Sequence, residues 1–127
     1  MPDILSDSLN KIKTYESIGK TTCVVANTKL VRNVLLTLKK SGYVREIEEA
    51  REGKFTKLKV LLANKINDIG AIRPRHAVTI DAYQKYETRY VPSKDFGILI
   101  VSTPQGIMSN KEAKEKSFGG RLLAYVY

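Results

Sequence analysis

Residues Ser102-Thr103-Pro104-Gln105-Gly106 set two adjacent hydroxyls, a side-chain amide and a glycine at the end of an apolar run. Such groups give and accept hydrogen bonds without carrying charge, which suits ribose hydroxyls, phosphate oxygens and base edges. Ser109-Asn110-Lys111-Glu112 then has the spacing of a capping box, so a short helix should open beside the turn. Lys111, Lys114, Lys116 and Arg121 follow, offset by Glu112 and Glu115. Cations of this kind neutralise phosphates and fix register, while hydroxyls and amides read edges. A plainer reading stands beside this one. Hydroxyls at a strand end bond nearby backbone, Ser109 and Glu112 cap a helix, and the lysines form a solvated face.

Catalytic chemistry finds little support. Cys23 and His76 could make a nucleophile–base pair, but each occurs only once, and Cys23 lies in a β-type run where a buried, inert thiol is usual. The sequence has no metal-ligand spacing, phosphate-binding loop or dinucleotide fingerprint. We therefore expect no enzyme activity, no cofactor and no metal. With 22 Lys and Arg against 13 Asp and Glu, the net charge is +9, which calls for a polyanionic partner. No apolar run approaches the ~20 residues of a membrane span, and the N-terminus, with Asp3, lacks signal-peptide organisation. The single cysteine excludes an internal disulfide. The expectation is a cytoplasmic protein that is monomeric when free.

The elements that must position these groups read as follows. A first helix begins near Asp3 with Leu5, Leu9 and Ile12 on one face, and residues 20–26 form a strand. Asn27 or Thr28 caps a second helix, whose Val31, Val34, Leu35 and Leu38 recur at i, i+3, i+4, i+7 and which stops at Gly42. Residues 43–47 and 55–62 are strands joined through an acidic stretch. From residue 65 the pattern loosens. Residues 78–80 read as a strand, 81–90 as a short helix with Tyr83, Tyr86 and Tyr90 roughly on one side, and Pro92 as its end. Residues 97–101 are a buried strand, 102–106 the hydroxyl turn, Gly119-Gly120 a helix stop or turn, and 122–127 a final strand. The fold class is α+β, with two small packed lobes. An N-terminal α-β-α-β-β lobe spans residues 1–66, and a β-rich lobe with short helices spans 67–127.

The order Gly97, apolar run, Ser102-Thr103, Gly106-Ile107-Met108-Ser109, Glu112-Ala113, Gly119-Gly120 and apolar strand resembles the C-terminal hallmark of a known family. That family is the eighth protein of the small ribosomal subunit. The opening helix with Asp3 and Lys11-Ile12-Lys13, and Thr28-Lys29-Leu30, resemble its N-terminal half. Ile72-Arg73-Pro74-Arg75 and residues 90–97 look like its archaeal and eukaryotic-cytoplasmic branch. The resemblance implies a structural rRNA-binding protein of the small subunit. Such a protein binds an irregular stem in the central domain of small-subunit rRNA, helps organise that domain during assembly, and neighbours other small-subunit ribosomal proteins.

On that reading Ser102, Thr103, Gln105 and Gly106 supply the reading turn, with Ser109 orienting it. Pro104 departs from the hydroxyl residues common in relatives, and it brings neither N–H nor hydroxyl. Arg73, Arg75, Lys94, Lys116 and Arg121 are candidate backbone contacts, and Tyr86 a candidate for base stacking or for the core. Lys11, Lys13, Lys29 and Lys57 are candidates for a second RNA segment, Lys29 matching the family's second-helix start. Asn27-Thr28 and Ile4 depart from prolines frequent there. The alternative is a basic protein that compacts DNA without sequence preference, which fits the charge and leaves the hydroxyl turn unexplained.

Overall fold

Residues 4–53, 55–72, 75–92 and 97–127 are described by the structure, a computed structural model, together with every side chain in them except those of Glu52 and Phe55. Two compact units divide the chain at Ile66 and Asn67.

The N-terminal unit contains α1 (Ile4–Ser17), β1 (Thr22–Ala26), α2 (Lys29–Lys40), β2 (Val44–Glu52) and β3 (Phe55–Leu62). Its three strands form an antiparallel sheet in the order β1-β3-β2. Leu5, Leu9 and Ile12 of α1 and Val31, Val34, Leu35 and Leu38 of α2 are buried, as are Val25, Leu58, Val60 and Leu62 of the sheet. The helical and strand periods thus meet in one core. Thr28 caps α2, its hydroxyl accepting from the Val31 N–H at 3.2 Å. Beyond the helix, Gly42 takes φ +86° and the Tyr43 N–H reaches back to the Leu38 carbonyl. One expectation fails here. The acidic stretch continues β2 as far as Glu52, because Glu48 and Ala50 pair in register with Lys59 and Lys57.

The C-terminal unit comprises β4 (Ile69–Ala71), β5 (Ala77–Val78), a 3₁₀ turn (Ile80–Ala82), α3 (Tyr83–Tyr90), β6 (Ile98–Thr103), β7 (Gly106–Ser109), α4 (Asn110–Glu115) and β8 (Gly120–Val126). Its sheet runs β4-β8-β6-β7, with β5 also on β8, and every pairing is antiparallel. Leu99, Val101, Met108 and Leu122 join Tyr83, Val91 and Ala113 in its core. Several local expectations are corrected. Of the anticipated 78–80 strand only Val78 pairs, together with Ala77 before it, and Ile80 is exposed in the 3₁₀ turn. The five-residue turn is a tight hairpin instead. Ser102 and Thr103 still belong to β6, only Pro104 and Gln105 connect, and Gly106 opens β7. Strand β8 already begins at Gly120, because a side chain there would collide with the Ser102 carbonyl. At Gly119 a Cβ would sit 2.6 Å from the Val78 carbonyl, so the glycine pair permits three strands to close up.

Candidate nucleic-acid interface

The hairpin is built by its turn residues. Pro104 presets its own φ, and Gly106 adopts φ +120°, a backbone that side-chain-bearing residues avoid. Thr103 closes the turn from within. Its hydroxyl donates to the Gly106 carbonyl at 2.8 Å and accepts from the Gln105 N–H at 3.2 Å. Among the described residues no heavy atom lies within 4 Å of a Cβ placed on Gly106, so its backbone stands open, and Pro104 and Gln105 are exposed beside it.

Strand pleating separates the two hydroxyls that the sequence sets together. Thr103 is buried, on the face of Val101 and Met108. Ser102 lies on the other face, and a row runs across four strands through Ala77, Arg121, Ser102 and Ile107. Residues directly opposite share a face, so Ser102 and Arg121 stand side by side. Among the described residues the Ser102 hydroxyl has no hydrogen-bond partner, and exposed Arg121 has no ion pair. A neutral donor–acceptor and a guanidinium together fit a sugar–phosphate unit.

Further candidates border this row. The His76 carbonyl accepts from the Leu122 N–H, which brings exposed Arg75 and half-buried His76 to the β8 margin. Tyr86 of α3 is half-buried and stacked on His76 at 5.3 Å, with the Lys85 Nζ 5.6 Å from its ring centre. One Tyr86 face is therefore already covered within the unit. Ser109 caps α4, its hydroxyl accepting from the Glu112 N–H at 3.3 Å, and the Lys116 ammonium sits 3.2 Å from the Glu112 carboxylate. Arg73 and Lys94 lie outside the described residues.

The N-terminal lysines part company. Lys11 donates to the Val24 carbonyl at 2.6 Å and lies near the Tyr15 ring, tying α1 to β1. Lys13 is exposed on α1. Lys57 is exposed on β3, opposite Ala26 and Ala50. Lys29 is exposed at the first turn of α2, where no acidic residue balances the helix dipole, and it has no pair among the described residues. A cation in that place works against helix stability, so an anion from outside is its natural partner. Cys23 is buried on β1, and burial pushes its thiol pKa up, which makes it inert.

Sequence reasoning missed Asn110 and Glu87, both buried polar residues. Asn110 Oδ1 accepts from the Leu99 N–H at 3.1 Å, and its Nδ2 donates to Glu87 Oε1 at 3.0 Å. The Lys114 ammonium pairs with that same Glu87 oxygen. Only a polar residue directly behind the capping serine hinted at this network. Among the described residues no His, Cys, Asp and Glu cluster could hold a metal ion, and no helix is long and apolar enough to cross a membrane.

Comparison with known proteins follows the same line. The family described as Ribosomal protein S8 matches residues 3–127. The Small ribosomal subunit protein uS8 of Archaeoglobus fulgidus is 45% identical over 126 residues, covering 98% of each chain. That of Caldivirga maquilingensis is 44% identical over 128 residues, covering 100% of this chain and 98% of its own.

Proposed function

The chain belongs to the ribosomal protein S8 family and is a non-enzymatic protein of the small ribosomal subunit, and from that premise we propose that it binds an irregular stem in the central domain of small-subunit rRNA. Binding there helps organise the domain during assembly, in the cytoplasmic ribosome and beside neighbouring small-subunit proteins. The observation that carries the reading is the Ser102–Arg121 row beside the open Gly106 backbone. It offers uncharged hydrogen-bonding groups and a cation on one sheet face, next to a turn that leaves room for a second backbone.

A regular A-form duplex hides its major-groove base edges in a deep, narrow groove, whereas an irregular stem splays out bases whose edges and faces can be read. Ser102, Gln105 and the hairpin backbone then read the irregular shape. Arg75, Arg121, Lys116 and Lys29 hold phosphates, and Arg73 and Lys94 are proposed for the same task. Thr103 and Ser109 act one step back, closing the turn and capping α4. Footprinting on fragments of small-subunit rRNA tests the proposal. Protection confined to one irregular stem of the central domain supports it. Diffuse protection, matched by equal affinity for duplex DNA, overturns it in favour of a DNA-compacting protein.

A further inference from the structure

We infer that Asn110 and Glu87 are positioning residues for RNA discrimination: their buried hydrogen bond holds α3 in one register against the hairpin that carries Ser102. The inference rests on the RNA-reading proposal above. It starts from an energetic oddity. Asn110 is 2% exposed and Glu87 4%, so an amide and a carboxylate are both buried in a small unit whose buried residues are mostly apolar. A buried polar pair is weak evidence for stability, since apolar residues of like volume often serve as well. Hydrogen bonds, however, fix direction and distance where apolar contacts can slide.

The geometry shows what direction is being fixed. Ile100 and Ser109 form the last rung between β6 and β7. At the next residue of β6, Leu99, the acceptor comes from the Asn110 side chain at 3.1 Å instead of from backbone. Asn110 therefore sets the point at which the chain leaves the sheet for α4. Its amide then reaches Glu87 on α3, and Lys114 of α4 returns to the same carboxylate oxygen, so two residues of α4 converge on one point of α3. Tyr83 anchors α3 a turn earlier, its hydroxyl donating to the Phe118 carbonyl at 2.8 Å.

Each member of the pair directly neighbours an interface candidate in sequence: Glu87 follows Tyr86, and Asn110 follows Ser109. A shift of α3 against the hairpin would move Tyr86 relative to His76, Ser102 and Arg121, because His76 is held to β8 through the Leu122 N–H. An RNA whose stacked base and sugar must meet both would then lose one of them. A regular duplex, held by phosphates alone, would be indifferent.

A swap of donor and acceptor tests this. Asn110→Asp keeps the acceptor for the Leu99 N–H but sets a second carboxylate against Glu87. Asn110→Asp with Glu87→Gln reverses the pair, restores the hydrogen bond and keeps one negative charge near Lys114. Affinities for the irregular stem and for a regular duplex are measured across a salt series, with urea unfolding alongside. We expect the single variant to lower the ratio of the two affinities about tenfold, the order for one lost oriented contact. The swap should bring the ratio back to within about threefold of the parent. Salt slopes should stay unchanged, because the exposed cations are untouched.

A merely structural role would shift the urea midpoint and leave the ratio alone. A folded Asn110→Asp protein with the parent's ratio, or a swap no better than the single variant, overturns the inference. Where Asn110→Asp does not fold, Glu87→Leu with Asn110→Leu takes its place, and a folded protein of that kind with the parent's ratio overturns it equally. If that variant also fails to fold, the swap alone decides, and loss of the parent's ratio in it refutes the inference. A parent protein without preference for the irregular stem defeats the proposed function itself, so the two failures are distinguishable.

Discussion

The two neighbouring hydroxyls at the end of β6 should fail in different ways when removed. Thr103→Val keeps the side-chain shape and deletes a hydroxyl that donates to the Gly106 carbonyl at 2.8 Å and accepts from the Gln105 N–H at 3.2 Å. Gln105 and Gly106 are both exposed, so water can take over the carbonyl and the N–H. Each lost bond then costs near the modest net value, and the pair together about 1–2 kcal/mol. Ser102→Ala deletes a hydroxyl with no partner among the described residues, so stability should stay within about 0.5 kcal/mol.

Binding should reverse the order. Ser102→Ala should reduce preference for the irregular stem by about 5- to 30-fold, equivalent to ~1–2 kcal/mol for a contact whose partner is left unpaired. Thr103→Val should reduce it by no more than about threefold in protein that remains folded, since that hydroxyl faces inward. Thr103→Ser, which keeps the hydroxyl, should resemble the parent in both respects. Urea unfolding followed by circular dichroism gives the stability, read as a midpoint shift at constant slope. Titration of both RNAs at one salt concentration gives the preference. The reasoning is refuted if Ser102→Ala destabilises as much as Thr103→Val. It is refuted equally if Thr103→Val abolishes the preference at unchanged stability.

Three further outcomes follow from the same geometry. Lys29→Ala and Arg121→Ala should each weaken binding to both RNAs alike and flatten the log–log salt slope by about 0.7–0.9, whereas Lys11→Ala should leave the slope unchanged and lower stability; the check is a salt titration with urea unfolding. Cys23→Val should leave RNA affinity within about threefold and shift stability by roughly 1 kcal/mol, measured by the same two assays. Burial raises the Glu16 pKa, with Oε2 lacking a partner among the described residues, so its contribution is most favourable below the ordinary value of 4.5 and is lost as pH rises through the folded pKa; unfolding from pH 4.5 to 7 should show Glu16→Gln more stable than the parent at neutral pH and less sensitive to acidification.

Elements whose cause is local were legible in the sequence. Helix α2 carries its core stripe, its Thr28 cap and its Gly42 stop within one short segment, and α4 carries its Ser109 cap. Elements whose cause is distant were not. The acidic stretch of β2 resembles a loop until β3 is set opposite it, with Lys59 facing Glu48 and Lys57 facing Ala50, and that pairing is a property of two strands together. Strand β5 is two residues long and exists through β8. The hairpin hid for a chemical reason. Pro104-Gln105 lacks the Asn-Gly or Asp-Gly signature of a two-residue turn, because the positive φ falls on Gly106 just after it.

The same distinction governs the site. Composition marks the region around 102–106 as rich in hydroxyls, but it cannot assign them, since adjacent residues of a strand face opposite ways. Only the register shows that Ser102 joins Arg121, nineteen positions on in the chain, while Thr103 turns inward to hold Gly106. Lysines divide by the same logic. Lys11 looks like a contact residue by charge, yet the Val24 carbonyl already engages it, whereas Lys29 and Arg121 remain available to an external anion. Asn110 and Glu87 lie 23 residues apart and bear no common motif. A surface that reads RNA shape needs its groups fixed relative to one another, and the residues that fix them are the ones a linear pattern has least reason to reveal.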